Sequence, residues 1–204
     1  MSFADVEQTL RDGCTIPAVS GVRLGQCLPY RHYLTGAAPR ERGVAQLTAQ
    51  DGHLIAFGAF EDHDIHNRAR TDNDFTWETG DVFELFFQVR GHEDYIEAHA
   101  TPEGFRLQLH IQSWQTIRQE PWDSKATDFG TVVTSVIRRQ ENLWLARLDI
   151  PFDRIGLSDD LLTGSRFVFA HYSYTTGQDE PEITSTVAFP KTCHFVPLWH
   201  ELIP

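Results

Sequence analysis

The residues best suited to chemistry lie in one short stretch, 77–89. Trp77 opens it, a Gly-Asp turn follows, and apolar residues then alternate with others, which predicts a strand. Its first face is apolar and is formed by Phe83, Leu85 and Phe87. Since successive strand side chains point to opposite faces, Glu84 is predicted to point away from that face. Charged residues are rarely buried without a partner, so Glu84 is expected either in a solvated groove or against a specific partner.

Two more strands, at 94–101 and 105–112, are predicted to follow with short connections, which makes an antiparallel meander. If the three strands are neighbours, their polar side chains are expected to share one surface, formed by Glu84, Glu97, His99, Arg106, Gln108 and His110. One interpretation is the solvated outer face that antiparallel sheets commonly have. The other is a hydrogen-bonding groove. Such a groove suits a sugar, because its hydroxyls need planar donors and acceptors and its C–H face stacks on a ring such as Trp77.

Two other kinds of chemistry stay open for the polar residues. Glu84 and Glu97 are a carboxylate pair of the kind that hydrolyses glycosides. However, the sequence contains no nucleophile elbow, no zinc-protease motif and no phosphate loop. His63 and His66, each next to an aspartate, could hold a metal if their loop folds around one. Ordinary solvated or hydrogen-bonded side chains are the better explanation of both sets.

Composition limits the classes of partner. The chain has 204 residues and a net charge of −12. It therefore lacks the basic footprint that nucleic acid requires, and an anionic membrane surface would repel it. No apolar run reaches the roughly 18 residues that a membrane helix needs. We predict a soluble protein with a neutral or cationic partner, and neither nucleic acid nor membrane as a partner.

The cysteines and the N-terminus bear on the compartment. Cys14, Cys27 and Cys193 are odd in number and widely spaced, which fits neither a disulfide framework nor a zinc pattern, so free thiols are predicted. The first residues, Met-Ser-Phe-Ala-Asp-Val-Glu, contain neither the basic nor the apolar region of a signal peptide. The expected location is the cytoplasm, or outside the cell if a leader has been removed.

Many short strands must position these residues. We predict a helix within 1–12, capped by Ser2 or Asp5, and one helical turn at 151–157. Further strands are predicted at 22–28, 44–48, 53–61, 131–138, 143–150, 166–174, 183–189 and 198–202. The segment 53–61 is apolar on both faces, which indicates a central strand covered on both sides. The pattern predicts an all-β fold, a single antiparallel β-sandwich domain over 1–204 with few short helices.

Two long loops, 61–80 and 113–130, interrupt this pattern, and long loops are often functional. Trp114 and Trp122 in the second loop are candidates to extend an aromatic platform. Trp144 alternates with apolar residues in its strand and is predicted to be buried.

Five ordered motifs cover roughly residues 44–204. They are Leu54-Ile-Ala-Phe-Gly-Ala-Phe-Glu-Asp62, Trp77-Glu-x-Gly-Asp-Val-Phe-Glu84, Tyr95-Ile-Glu-Ala-His-Ala-Thr-Pro-Glu-Gly104, Leu143-Trp-Leu-Ala-Arg-Leu-Asp-Ile-Pro-Phe152 and Phe189-Pro-x-x-x-x-Phe195. In this order they resemble the family 9 carbohydrate-binding modules, which belong to the wider DOMON-like group of β-sandwiches. No single motif is diagnostic, but five in order are fairly specific.

The resemblance implies a non-catalytic sandwich that grips a sugar between two aromatic rings. On these motifs the first ring is Trp77, and the second is Phe189 in place of the usual Trp. Glu84 matches the strand carboxylate of the family, and His99 falls where the family more often has Arg or Gln. The two departures affect affinity and sugar choice, and histidine brings pH dependence. Some members use structural calcium, for which the acidic loop 61–64 could supply oxygen ligands.

We therefore predict non-catalytic binding of a small sugar or polysaccharide. The predicted sugar contacts are Trp77, Phe189, Glu84 and His99, with Arg106 and Gln108 in second rank. No catalytic residue, metal ligand or cofactor is assigned, with calcium left possible. The alternatives are a metal- or haem-binding DOMON-like domain, a glycoside-active enzyme, and a diverged sandwich that binds a protein partner. Haem held by a Met–His pair is nearly excluded, because Met1 is the only methionine.

Overall fold

The computed structural model describes residues 2–15, 21–119 and 121–204. The helices are α1 (Phe3–Asp12) and α2 (Asp159–Leu162). The strands are β1 (Gly21–Val22), β2 (Cys27–Pro29), β3 (Arg31–His32), β4 (Gly43–Gln50), β5 (His53–Glu61), β6 (Val82–Gln88), β7 (Tyr95–Ala100), β8 (Arg106–Ile111), β9 (Val132–Arg138), β10 (Leu143–Pro151), β11 (Arg166–Ser173), β12 (Glu182–Ser185) and β13 (His200–Leu202). Short 3-10 turns lie at Thr76–Glu78, Ile117–Gln119, Trp122–Lys125, Arg139–Glu141, Phe152–Arg154 and Val196–Leu198. Neither helix is long and apolar enough to cross a bilayer, and no other helix occurs in the described ranges.

The strands form two sheets that pack face to face. The small sheet has the order β2-β4-β5-β10-β9. The large sheet has the order β1-β13-β11-β6-β7-β8, with β12 beside β11 and β3 beside β12. Trp144 of the small sheet is fully buried, as predicted, and Phe60 beside it meets Phe83 of the large sheet at 5.7 Å between ring centroids. The predicted all-β antiparallel sandwich is confirmed.

Helix α1 covers the outer face of the small sheet. Val6 and Leu10 are buried against Ile55 and Phe57 of β5, so this strand is covered on both sides, as its composition predicted. The first turn begins at Ser2, whose backbone N–H donates to the carboxylate of Asp5 at 2.7 Å. This bond satisfies a backbone donor at the helix start and fixes where the helix begins.

The register of the large sheet decides which side chains share its outer face. Glu84 of β6 lies opposite His99 of β7, and His99 lies opposite Leu107 of β8. Residues directly opposite one another point to the same side. Arg106 and Gln108 therefore point to the other side, toward the small sheet. The prediction that they share a surface with Glu84 is wrong, because the apolar side of β8 faces outward.

The outer face of the large sheet carries a second apolar cluster beneath the loops 113–130 and 186–199. Its buried members are Phe86, Tyr95, Leu107, Leu109, Ile111, Ile117, Val168, Ala170, Phe189, Cys193, Val196 and Trp199. The face is thus largely covered rather than solvated. The polar residues on it lie in a partly dry environment, which makes their pairing energetically important.

Candidate functional site

A cleft of about 180 Å³ opens on the outer face of the large sheet. Its floor is formed by Glu84 and Phe86 of β6, Glu97 of β7 and Tyr172 of β11. The surrounding residues are Tyr33, Trp77, Arg118, Trp122, Ile183, Lys191, Thr192, Cys193 and His194. Aromatic rings and carboxylates meet here.

Three polar residues on the outer face of the large sheet form a compact group, the Glu-Glu-His cluster, made of Glu84, Glu97 and His99. The glutamates are 3% exposed and the histidine is 0% exposed. His99 Nε2 lies 2.7 Å from a carboxylate oxygen of Glu97 and 3.5 Å from one of Glu84. His99 Nδ1 is hydrogen-bonded to Thr76 Oγ1 at 2.7 Å. His99 was predicted to contact a sugar directly. It does not line the cleft, and its ring contacts the carboxylates of Glu84 and Glu97 instead.

Burial and mutual interaction shift the pKa values of Glu84 and His99 in the cluster. Burial raises the pKa of Glu84 to about 8, with His99 opposing the shift and Glu97 adding to it. Burial alone would lower the pKa of His99, but the charge of Glu84 and the hydrogen bond to Glu97 outweigh it, so that pKa is raised. Within the described ranges no hydrogen bond reaches the carboxylate of Glu84.

One oxygen of Glu97 has no partner. Its Oε2 atom is buried and accepts no hydrogen bond from the described part of the chain. The nearest cationic candidate, His194 Nδ1, is 3.9 Å away and is instead hydrogen-bonded to the hydroxyl of Tyr95. A buried acceptor without a partner costs about 1–3 kcal/mol. The cleft therefore presents acceptor capacity that a ligand can fill.

The loop between β5 and β6 places Trp77 at the cleft. Asn67 holds this loop, because its side-chain amide donates to the carbonyls of Thr76 (2.9 Å) and Asp81 (3.0 Å). The Trp77 ring is half-buried, stacks on Phe75 at 5.0 Å between centroids, and meets Trp122 at 5.4 Å. Trp77 therefore lines the cleft, and Trp122 of the second loop lines it beside Trp77.

Phe189 is not the second wall. Its side chain is 2% exposed in the second apolar cluster, and its backbone N–H donates to the Tyr33 carbonyl at 2.6 Å. The ring is packed against the outer face of the sheet and does not line the cleft. Tyr33 and Tyr172 line it instead. The sequence motifs did not identify these two tyrosines, because the positions of both depend on the pairing of β3, β12 and β11.

Arg106 and Gln108, the second-rank candidates, have other contacts. The Gln108 side chain donates to Asp128 (3.2 Å) and accepts from the Thr131 backbone N–H (3.0 Å). The Arg106 guanidinium forms an ion pair with Asp72 and donates to the Thr131 carbonyl. These bonds tie β8 to the neighbouring loops, so both residues have structural surroundings and neither lines the cleft.

A second acidic pair is buried in the loop between β5 and β6. Asp62 is 2% exposed and Asp81 is 0% exposed. Burial raises the pKa of Asp62 to about 6, and burial together with the Asp62 charge raises the pKa of Asp81 to about 9. Asp81 accepts hydrogen bonds from the backbone N–H groups of His66 and Tyr174.

One oxygen of this acidic pair is also free. Asp62 Oδ2 is buried and has no hydrogen-bond partner among the described residues. Carboxylate oxygens are the ligands that Ca²⁺ prefers, and Asp62 Oδ2 is available as one of them. The other metal hypothesis, a site built on His63 and His66, gains no such support. His63 contacts Glu41, and the His66 ring contacts the Asp64 carbonyl.

A larger cavity, about 410 Å³, lies away from these residues. Its lining includes Asp94, His92 and His110, and Asp94 is already hydrogen-bonded to His110 at 2.6 Å. Since an unsatisfied carboxylate oxygen of Glu97 and several aromatic rings meet in the smaller cleft, that cleft is the better candidate for a ligand site.

The sequence matches no family model and no curated protein. Solved structures do match. A candidate carbohydrate-binding protein from Bacteroides uniformis ATCC 8492 aligns over 92% of this chain and 94% of its own, with a TM-score of 0.66 and 14% identity.

Two family 9 carbohydrate-binding modules from Caldicellulosiruptor kristjanssonii match as well. The module in complex with glucose aligns over 89% of this chain and 93% of its own, with a TM-score of 0.57 and 12% identity. The module in complex with cellotriose aligns over 78% and 71%, with a TM-score of 0.52 and 13% identity. At these identities the likeness establishes the fold, which is that of the family 9 modules.

Proposed function

We propose that the protein binds a carbohydrate without catalysis in the cleft of the large sheet. The observation that carries this proposal is that the buried carboxylates of Glu84 and Glu97 meet the ring of Trp77 in one cleft, where Glu97 Oε2 has no hydrogen-bond partner among the described residues. Sugars offer both hydroxyl donors and an apolar C–H face. Modules of the same fold form complexes with glucose and with cellotriose, which supports the same ligand class here.

Different residues of the cleft contact different parts of the sugar. Sugar hydroxyls donate to Glu84 and Glu97, while the C–H face stacks on Trp77. Arg118 and Lys191 are exposed at the cleft and can donate to sugar oxygens. Each good polar contact contributes about 1 kcal/mol net. Affinity is therefore expected between micromolar and millimolar, about −8 to −4 kcal/mol.

The arrangement of the carboxylates favours binding over hydrolysis. Glycosidases place their two acids about 5–9.5 Å apart, on either side of the scissile bond. Here Glu84 and Glu97 lie on neighbouring strands and approach the same imidazole, with ligand atoms within 4.8 Å of one another. We expect no product from a panel of chromogenic glycosides. If the wild type releases product and Glu84→Gln does not, the non-catalytic assignment is wrong.

We also propose calcium as a structural ion at Asp62 and Asp81. Two buried carboxylates side by side need a proton or a cation between them, and one oxygen of Asp62 has no other partner. When bound there, Ca²⁺ would neutralise the pair. The pair would thereby hold the loop that carries Trp77.

Calorimetric titration with mono- and oligosaccharides tests the sugar proposal. We expect saturable heat with at least one sugar and at least a tenfold loss of affinity in Trp77→Ala. Trp114→Ala is the matched control, because Trp114 is also half-buried but packs on Phe195 outside the cleft.

Two outcomes contradict this assignment. The absence of heat with any sugar would leave the fold standing and point to a diverged or partner-binding domain. If Trp77→Ala melts many degrees below Trp114→Ala, the tryptophan is part of the core rather than a binding surface.

A further inference from the structure

The Glu-Glu-His cluster has the ligand atoms of a metal site. Glu84, Glu97 and His99 each offer one ligand atom within 4.8 Å of the others, and no other group of three does so in the described part of the chain. Zinc–nitrogen and zinc–oxygen bonds are about 2.0–2.2 Å long. A tetrahedral ion would therefore hold its ligand atoms roughly 3.4 Å apart. The Glu84–His99 separation of 3.5 Å already has this value, whereas Glu97 Oε1 and His99 Nε2 are hydrogen-bonded at 2.7 Å and would separate when the ion binds.

The second observation is independent of this spacing. Glu97 is 3% exposed, lines the cleft, and its Oε2 atom has no hydrogen-bond partner among the described residues. A buried carboxylate oxygen is rarely left in this state, since it loses its hydration without compensation. An ion between the side chains would satisfy it.

The surroundings of His99 orient its other nitrogen toward the carboxylates. Nδ1 is bound to the buried hydroxyl of Thr76 at 2.7 Å, which leaves Nε2 directed at Glu84 and Glu97. Metal-binding histidines generally use one nitrogen for the ion and hold the other in such a hydrogen bond. A proton on Nε2 would leave for solvent when the ion binds.

We propose that Glu84, Glu97 and His99 bind a divalent transition-metal ion, with Zn²⁺ the preferred ion, and leave one coordination position open to the cleft. Imidazole selects transition metals over Ca²⁺ and Mg²⁺, and one histidine with two carboxylates neutralises a 2+ ion. Three protein ligands with an open position are the arrangement of an exchangeable site rather than of a closed structural one.

The metal site extends the proposed function without depending on it. The open position faces the same cleft as Trp77, so a sugar hydroxyl or water can occupy it. Arg118 and Lys191 also line the cleft, but neither forms an ion pair with the cluster among the described residues. A cation can therefore reach the carboxylates from the open side.

The test is a titration of chelator-treated protein with Zn²⁺ alone, followed by calorimetry and by the absorption of bound Co²⁺. We expect one tight equivalent of Zn²⁺ and the visible bands of tetrahedral Co²⁺. Glu97→Gln and Glu84→Gln should each weaken Zn²⁺ binding at least tenfold and remove the Co²⁺ bands. His63→Gln is the control, because His63 is an exposed histidine outside the cluster.

Each possible result decides the question. The absence of a saturable site, or equal binding by all variants, would overturn the proposal, and melting curves would show that the variants are folded. If either Glu84→Gln or Glu97→Gln does not fold, the other variant and the Co²⁺ spectrum together decide whether the cluster binds the metal. The sugar titration is repeated with chelator present. Sugar binding without Zn²⁺ binding would refute the metal site alone, and Zn²⁺ binding without sugar binding would refute the sugar proposal alone.

Discussion

At the residue scale, buried polar side chains on one sheet differ in whether their polar atoms already have hydrogen-bond partners. Glu84 and Glu97 are glutamates on a sheet face, yet both are buried and share one histidine. Gln108 is equally buried, but both of its polar groups are satisfied by Asp128 and Thr131. Unsatisfied atoms, rather than polarity alone, mark the residues that are available to a ligand.

Gln108→Ala is expected to lower stability and leave sugar affinity unchanged. The substitution removes two hydrogen bonds and leaves the buried N–H of Thr131 without its acceptor, at a cost of about 1–3 kcal/mol. Thermal unfolding and calorimetric titration measure the two effects. Weaker sugar binding at an unchanged melting temperature would show that Gln108 faces the ligand after all.

Phe189→Leu is expected to retain sugar binding. The ring is buried in the second apolar cluster, and leucine keeps much of its volume and apolar character. A stacking ring could not be replaced in this way, because leucine has no aromatic face. Loss of binding at an unchanged melting temperature would restore Phe189 as a wall of the cleft.

At the element scale, the loop between β5 and β6 couples folding to the site. Asn67 bonds the carbonyls of Thr76 and Asp81, and Thr76 in turn bonds His99. Trp77 follows Thr76 directly, so one bonded loop positions both an aromatic wall and the support of the cluster. A long polar loop could be recognised from the sequence, but its internal bonding could not.

Gly80→Ala tests this loop. Gly80 has φ +152°, and an added Cβ would lie 2.4 Å from the His66 carbonyl oxygen and 2.5 Å from the Asn67 Cα. We expect a lower melting temperature and weaker sugar binding, because the backbone around Trp77 must shift. Gly104→Ala is the control: its φ is +89°, but nothing lies within 4 Å of the added Cβ. Its cost is limited to backbone strain of about 1 kcal/mol. Equal effects of the two substitutions would contradict a specific role for the loop.

At the scale of the whole molecule, the large sheet is covered on both faces. The small sheet covers one face, and the loops 113–130 and 186–199 cover the other. Buried acidic groups then affect global stability, since their charges cannot be hydrated. The pair Asp62 and Asp81 is the clearest case, because its pKa values of about 6 and about 9 both lie above the ordinary 3.8.

The sign of the pH dependence follows from those values. In the unfolded chain both aspartates ionise near pH 4, whereas the folded protein retains their protons to higher pH. Their contribution to stability is fully present below about pH 4 and is lost as the pH rises through about 6 and about 9. Without calcium, the melting temperature of wild type should therefore fall over this range relative to Asp62→Asn. One pKa unit corresponds to about 1.4 kcal/mol, and 1 kcal/mol to about 2–4 °C.

Calcium should reverse which of the two proteins, wild type or Asp62→Asn, has the higher melting temperature. At pH 8 with chelator, Asp62→Asn is expected to melt above wild type because it removes the buried negative charge of Asp62, whose pKa of about 6 lies below that pH. With excess Ca²⁺, wild type is expected to melt above the variant because it retains both carboxylate ligands. Differential scanning calorimetry measures both conditions. The calcium proposal fails if Ca²⁺ stabilises both proteins equally.

The sequence by itself determined the local elements. The strands β4 to β11 lie within a residue or two of their predicted positions, and β5 (His53–Glu61) matches its prediction. Alternation and turn residues are local signals, so they locate strands without knowledge of the partner strands. The burial of Trp144 and the placement of Glu84, Glu97 and His99 on one face followed from the same alternation.

Only the tertiary structure decided which apolar surface each strand faces. Alternation in β8 separates Leu107 from Gln108, but it does not say which side meets the small sheet and which lies beneath the loops. The pairing of β7 with β8 settled this, and packing of the C-terminal loop buried Phe189. Because apolar groups cover both faces of the large sheet, the alternation in β8 fits either orientation of the strand equally well. The choice between them depends on contacts between residues far apart in the chain.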